Sequence, residues 1–160
     1  MENVEQVDTF KYLGIVLDKN LKFDDHINFI CKKANQRMYL IRKLKSFNVD
    51  CTVLELVYRS LVESVLSFNI VTWYGNLRVK EKARLNRVVN LASKVIGRKQ
   101  KSLPDIYHQF VIKKAKKILL DNTHPMHDSF QFLRSGRRLR VPSWRRNLYR
   151  YFLSHLLLTF

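Results

Sequence analysis

Between Asp24 and Asp121 apolar residues return at steps of three, four and seven, and glycine or proline interrupts this stretch only at Gly75, Gly97 and Pro104. A chain patterned in this way must bury one stripe of each helix, which confines it to a helical bundle. The first predicted helix opens at Asp24 or Asp25, either of which offers an N-cap side chain, and carries Ile27, Ile30, Ala34, Ile41 and Leu44 on one face. Asn48 and Asp50 interrupt, and a second helix runs from Cys51 to about Val71 with Leu54, Val57, Leu61, Val65 and Phe68 inward. It is apolar nearly all round and therefore belongs at the centre of the bundle. Tyr74-Gly75-Asn76 ends it. The third helix spans about Val79 to Ile96, with Leu85, Val88, Ala92 and Val95 inward and Gly97 as a left-handed C-cap. Ser102 and Pro104 start the fourth, whose core face is Ile106, Phe110, Val111, Ala115, Ile118 and Leu119.

The two ends differ in pattern. Val7 to Leu17 is rich in β-branched and aromatic residues, and Asp18-Lys19-Asn20 supplies turn chemistry before Leu21-Lys22-Phe23, which predicts a short hairpin. A second hairpin is predicted from Phe130-Gln131-Phe132-Leu133, an Arg134-Ser135-Gly136 turn and Arg138-Leu139-Arg140-Val141, followed by a short helix after Ser143. The expected fold is mainly α, a four-to-five-helix bundle with a β-hairpin at the N-terminus and another near the C-terminus. Its divisions are 1–23 (hairpin), 24–122 (helical domain) and 123–160 (basic hairpin and tail).

Charge narrows the partner. Thirty Lys and Arg against thirteen Asp and Glu give +17, and the imbalance is uneven. Residues 1–30 carry −3, the remainder +20, and from Ser129 onward there are seven Arg and no acid. A polyanion suits such a surface better than a small neutral substrate. Lys32, Lys33, Arg37, Lys43 and Lys45 on the first helix, with Lys113, Lys114, Lys116 and Lys117 on the fourth, are candidates for a groove lining. Lys80, Lys82, Arg84, Arg87 and Lys94 lie on the outer side of the third. Arg134, Arg137, Arg138, Arg140, Arg145 and Arg146 are candidates for a basic arm, with Trp144 able to stack on a base. Each lysine taken singly also fits a solvated helix face, and Trp73 and Tyr74 fit the core. Cys31 and Cys51 suggest no disulfide framework. The acidic start Met1-Glu2-Asn3-Val4-Glu5 does not resemble a secretion signal, and no stretch reaches the ~20 apolar residues of a membrane span. The expected location is nuclear or cytoplasmic.

Phe10-Lys11-Tyr12-Leu13-Gly14-Ile15-Val16-Leu17-Asp18, followed directly by a basic helix, resembles the junction between the last palm hairpin and the thumb in reverse transcriptases of LINE-type (non-LTR) retrotransposons. Further segments carry the likeness: Ile27 to Lys45, Trp73-Tyr74-Gly75, His124-Pro125-Met126-His127, and Gly136 to Pro142. The resemblance implies a fragment comprising the end of the palm, the thumb and the post-thumb region. It would grip RNA, DNA or an RNA-DNA hybrid through backbone phosphates, with Tyr12, Leu13 and Gly14 as the block near the primer end and the palm and fingers of a parent polymerase as partners. The stretch from Phe23 to Phe68 also resembles a short N-terminal segment assigned to AlkB-like dioxygenases that modify tRNA.

Catalytic chemistry finds little support. A nucleotidyl transferase needs carboxylates holding two Mg²⁺ ions about 4 Å apart. Asp24-Asp25 is an adjacent pair, but Lys22 stands where the resembled enzymes have an aromatic, and the pair follows the Tyr12-Leu13-Gly14 block instead of preceding it. Capping and the helix dipole explain it better. His124, His127 and Asp128 do not form a non-haem iron triad, and no glycine-rich loop follows a strand to cradle S-adenosylmethionine. The expectation is therefore a nucleic-acid-binding chain with no catalytic residue, no metal and no cofactor. Two alternatives stand beside it: a helical interaction module exposing Phe10, Tyr12 and Val16, and AlkB-type dioxygenase or methyltransferase activity, which would require iron or S-adenosylmethionine.

Overall fold

The computed structural model describes residues 7–131, 133 and 134. Their elements are β1 (Thr9–Tyr12), β2 (Ile15–Asp18), α1 (Asp24–Ser46), α2 (Cys51–Tyr58), a π-helical turn (Arg59–Glu63), α3 (Ser64–Ser67), α4 (Ile70–Trp73), a 3-10 turn (Tyr74–Asn76), α5 (Val79–Ile96), α6 (Leu103–Leu120) and a second 3-10 turn (His127–Ser129). The chain is mainly helical with a short N-terminal hairpin, as the periodicity predicts. The described residues divide into two compact units: those up to Phe68 with Leu77–Leu103, and Asn69–Asn76 with those from Pro104.

The hairpin forms in a different register from the predicted one. β1 pairs antiparallel with β2 from Thr9↔Asp18 to Tyr12↔Ile15, so the two-residue turn is Leu13-Gly14, with φ of 45° and 86°. Positive φ at both central positions matches the twist of the strands, and glycine adopts it at little cost. Leucine at the first position lies outside the Asn-Gly pattern by which such turns are recognised. The turn predicted at Asp18-Lys19-Asn20 exists, with the Leu21 N–H donating to the Asp18 carbonyl at 3.0 Å, but it leads into α1 and not into a return strand.

Asp18 makes that connection. Its carboxylate accepts backbone N–H bonds from Asn20 (2.8 Å), Lys22 (2.9 Å) and Phe23 (2.8 Å). Partial burial acts to raise its pKa, but the N–H groups of Phe23, Asn20 and Lys22 together outweigh this and hold it below the ordinary value. Leu21 and Phe23 both have left-handed backbones, at φ 54° and 63°, and the buried Phe23 ring offsets that strain. Phe23 therefore occupies the N-cap position of α1 with no side-chain cap, so neither Asp24 nor Asp25 caps the helix. Both lie in its first turn, where carboxylates meet the positive end of the helix dipole.

α1 buries His26, Ile27, Ile30, Cys31, Ala34, Met38 and Ile41, and packs against β2, α2, the π-helical turn, α3 and α5. The predicted second helix departs more. Leu54, Tyr58, Val62 and Leu66 are fully buried, Val57, Leu61 and Val65 are half-buried, and Phe68 is exposed. A strict four-residue step would drift around a 3.6-residue helix, and the wider π-helical turn between α2 and α3 keeps it facing inward. Nor does this helix continue to Val71. Asn69 takes φ 46°, a conformation asparagine tolerates, and the helix stops at Ser67. On α5 Leu85, Val88, Val89, Ala92 and Ile96 are buried, with Val95 only half-buried, and Gly97 closes the helix at φ 83°.

In the second unit Trp73, Tyr74 and Tyr107 form an aromatic group, with ring centroids 5.9 Å apart for the first pair and 5.1 Å for the second. Ile106, Val111, Ala115 and Ile118 are buried on α6, whereas the expected Phe110 is exposed. The predicted second hairpin lies outside the described residues apart from Phe130, Gln131, Leu133 and Arg134, where the backbone is not in a strand. The predicted helix after Ser143 lies wholly outside them.

Two stability predictions follow from the β2–α1 connection. Replacing Asp18 by Ala strands three backbone donors and is expected to cost about 2 kcal/mol, read as a lowered midpoint in urea unfolding. His26 is buried, accepts the Val16 N–H at Nδ1 (3.3 Å), and has its pKa lowered by burial to about 4. Because the unfolded chain takes up this proton first, stability should be complete above about pH 6.5 and decline by about 2 kcal/mol as pH falls to about 5. Unfolding midpoints across this range should flatten in His26→Phe.

Candidate nucleic-acid interface

The first unit contains a basic groove between α1 and α5. On α5, Lys80, Arg84, Arg87, Leu91 and Lys94 recur at steps of four, three, four and three, which at 3.6 residues per turn forms one line beside the buried stripe. Across it on α1 stand Asn28, Cys31 and Asn35. Arg84 Nη1 donates to Asn28 Oδ1 at 2.8 Å, and at the head of the groove Arg78 Nη2 pairs with Asp24 Oδ2 at 2.8 Å. Beyond the Arg84–Asn28 pair, away from that head, lies a cavity of about 230 Å³ lined by Cys31, Asn35, Arg84, Arg87, Val88 and Leu91, with no carboxylate in its walls.

Three acids of this unit are paired with arginines. Asp24 and Glu81 face Arg78, and Glu55 faces Arg59 and Arg98. Arg87 has no carboxylate partner among the described residues. Burial raises the pKa of the Cys31 thiol, against a smaller opposing pull from Arg84, so Cys31 contributes a neutral wall. Two guanidinium groups one helical turn apart, beside an asparagine amide, present N–H donors suited to successive phosphate oxygens.

The residues expected to form a groove lining have different surroundings within each unit. Arg37 is half-buried and donates from Nη1 to the Leu61 carbonyl, within the π-helical turn, where the widened hydrogen-bond pattern leaves a carbonyl available. Lys33 turns toward the hairpin, its Nζ 5.8 Å from the Phe29 ring centroid, and Lys43 stands 5.2 Å from the Phe47 centroid. Lys32 and Lys45 are exposed on α1, and Lys113, Lys114, Lys116 and Lys117 are exposed on α6 in the second unit. At the hairpin Tyr12 and Leu13 are exposed. A Cβ on Gly14 would lie 3.2 Å from Phe68 Cε1. Arg134 is exposed, while Arg137, Arg138, Arg140, Trp144, Arg145 and Arg146 lie outside the described residues. The best-formed site therefore uses Arg84, Arg87, Asn28 and Asn35. Helical spacing of the α5 basic residues is legible in the sequence; their pairing with α1 is not.

Residues 24–64, about a quarter of the chain, match the family described as "Alkylated DNA repair protein alkB homolog 8, N-terminal". The matched stretch comprises α1, α2 and the π-helical turn, and so includes one wall of the groove. No curated protein and no solved structure matches the chain, and the resemblance to LINE-type reverse transcriptases finds no counterpart in these comparisons.

Substitution separates the groove from its scaffold. Arg84→Glu with Arg87→Glu should weaken nucleic-acid binding at least about tenfold with little change in melting temperature. Arg37→Ala should instead lower the melting temperature and leave the affinity of the folded fraction nearly unchanged, as measured by thermal melting alongside fluorescence anisotropy.

Proposed function

We propose that the chain is a non-catalytic nucleic-acid-binding module that holds its partner by the phosphate backbone along the α1–α5 groove. The observation that carries this reading is the line of Lys80, Arg84, Arg87 and Lys94 facing Asn28 and Asn35, with carboxylates absent from the walls of the cavity between them. Similarity of α1 and α2 to the N-terminal part of an alkylated-DNA repair protein supports it, since the protein so described acts on a nucleic acid. The AlkB-like reading is preferred to the reverse-transcriptase one, which has no matched relative behind it. Phosphate contact is common to RNA, DNA and hybrid, so the module is expected to accept all three. Neither dioxygenase nor methyltransferase activity is proposed. Among the described residues no three His, Cys, Asp or Glu side chains are placed to hold a metal ion, and no helix is long and apolar enough to cross a membrane.

A second reading is a protein-interaction module, favoured by the exposed Phe10 and Tyr12 at the hairpin with Leu13 beside them, although Val16, expected in the same patch, is half-buried. Salt distinguishes the two. Four phosphate contacts, one for each cation of that line, predict an affinity loss of roughly 150-fold between about 50 and about 200 mM salt. Self-association through an apolar hairpin would be nearly insensitive over that range. Anisotropy titrations of a labelled duplex at several salt concentrations, with sedimentation of the chain alone, check this. A flat salt response would discard the groove reading.

A further inference from the structure

A second cavity lies on the opposite flank of α1. It has a volume of about 330 Å³ and is bounded by the hairpin, α1 and the α3 end of the helical rod. Its apolar walls are Phe29, Ile30, Val65 and Phe68, and Phe29 and Phe68 are both partly exposed. Lys11 from β1 and Lys33 from α1 converge on the same Phe29 ring, with Nζ 5.0 and 5.8 Å from its centroid. Neither ammonium has an ion-pair partner among the described residues, and no carboxylate lines the cavity.

Two like charges held at one aromatic ring and lining one cavity repel each other. Cation–π attraction to the ring keeps them there, and an anion beside both would remove the repulsion. The second part of the ligand follows from the walls, because aromatic faces beside cations accept the flat face of a base. Gly14 completes the shape. At φ +86° it has no Cβ to press on Phe68, so the turn backbone lies directly against that ring and leaves the cavity beside it open. The volume is at the small end of ligand pockets, roughly 300–1,000 Å³, which suits one nucleotide and excludes a duplex.

We propose that this hairpin cavity binds a single unpaired nucleotide, its phosphate between Lys11 and Lys33 and its base against Phe68 and Phe29. The proposal rests on the reading of the chain as a nucleic-acid binder, and adds to the backbone groove a site for a nucleotide outside the paired region. The buried His26 lines the same cavity and is neutral at pH 7, so it adds no charge to compete for the phosphate.

The test has two arms, both on the full chain. In the first, adenosine 5′-monophosphate is titrated while the backbone amide resonances of Gly14, Ile30 and Val65 are followed. Saturable shifts are expected, reduced at least fivefold in affinity by Lys11→Gln and by Lys33→Gln. Adenosine and inorganic phosphate should each bind more weakly than the nucleotide. In the second arm, a duplex with one unpaired terminal nucleotide should bind several-fold more tightly than the blunt duplex, and Lys11→Gln should abolish that difference. Absence of shifts at these amides, shifts unaffected by both substitutions, or equal binding of the two duplexes would overturn the proposal. Loss of blunt-duplex binding in Arg84→Glu with Arg87→Glu reports on the groove alone. A chain that binds neither duplex overturns the proposed function, while the first arm still decides whether the cavity takes a nucleotide.

Discussion

Burial of one stripe on α1 is the constraint on which the first unit depends. Ile27, Ile30, Ala34, Met38 and Ile41 are excluded from water, and β2, α2, the π-helical turn, α3 and α5 all pack against this helix. Each side chain of that kind contributes on the order of 1–3 kcal/mol when buried, so no neighbouring element can shift without exposing part of the stripe. With the axis held, the flanks of α1 are assigned. One faces α5 and forms the groove; the other faces the hairpin and forms the second cavity. The outer face carries solvated lysines.

Electrostatics then depends on how a few acids are distributed among many bases. Asp24, Glu55 and Glu81 are close in space to Arg78, Arg59 and Arg98, and Asp18 is occupied by three backbone donors. These acids offset particular arginines, so the positive charge left over is not spread evenly. It concentrates along α5 opposite α1 and at the mouth of the hairpin cavity. Formal charge alone, +17 over 160 residues, describes a uniformly basic surface; the fold adds two places where bases line a cavity free of carboxylates.

Helical spacing was legible where each element obeys a simple repeat. α1, α5 and α6 begin and end close to where periodicity, Gly97 and Ser102-Leu103-Pro104 place them. Errors arose where backbone geometry departs from the common pattern. Leu13 at positive φ concealed the hairpin turn, because leucine seldom signals one. Phe23 in a left-handed conformation displaced the N-cap expected at Asp24 or Asp25. The π-helical turn exchanged Val57, Leu61 and Val65 for Tyr58, Val62 and Leu66 as the buried set, a change that residue type does not announce, since all six are apolar or aromatic. Arg37 departs from expectation for a related reason: its charge suggests solvent or phosphate, yet it donates to the Leu61 carbonyl inside the π-helical turn.

The sequence by itself determined the class of fold, the extents of the long helices and the sign and excess of charge, because these depend on the local spacing of residue types and on composition. Tertiary structure alone decided which basic residues act together. Arg84 and Arg87 meet Asn28 and Asn35 across more than fifty residues of chain, and Lys11 meets Lys33 at Phe29 only after the hairpin docks on α1. Such pairings arise from packing two faces around a shared core, and periodicity within one helix carries no information about its neighbour.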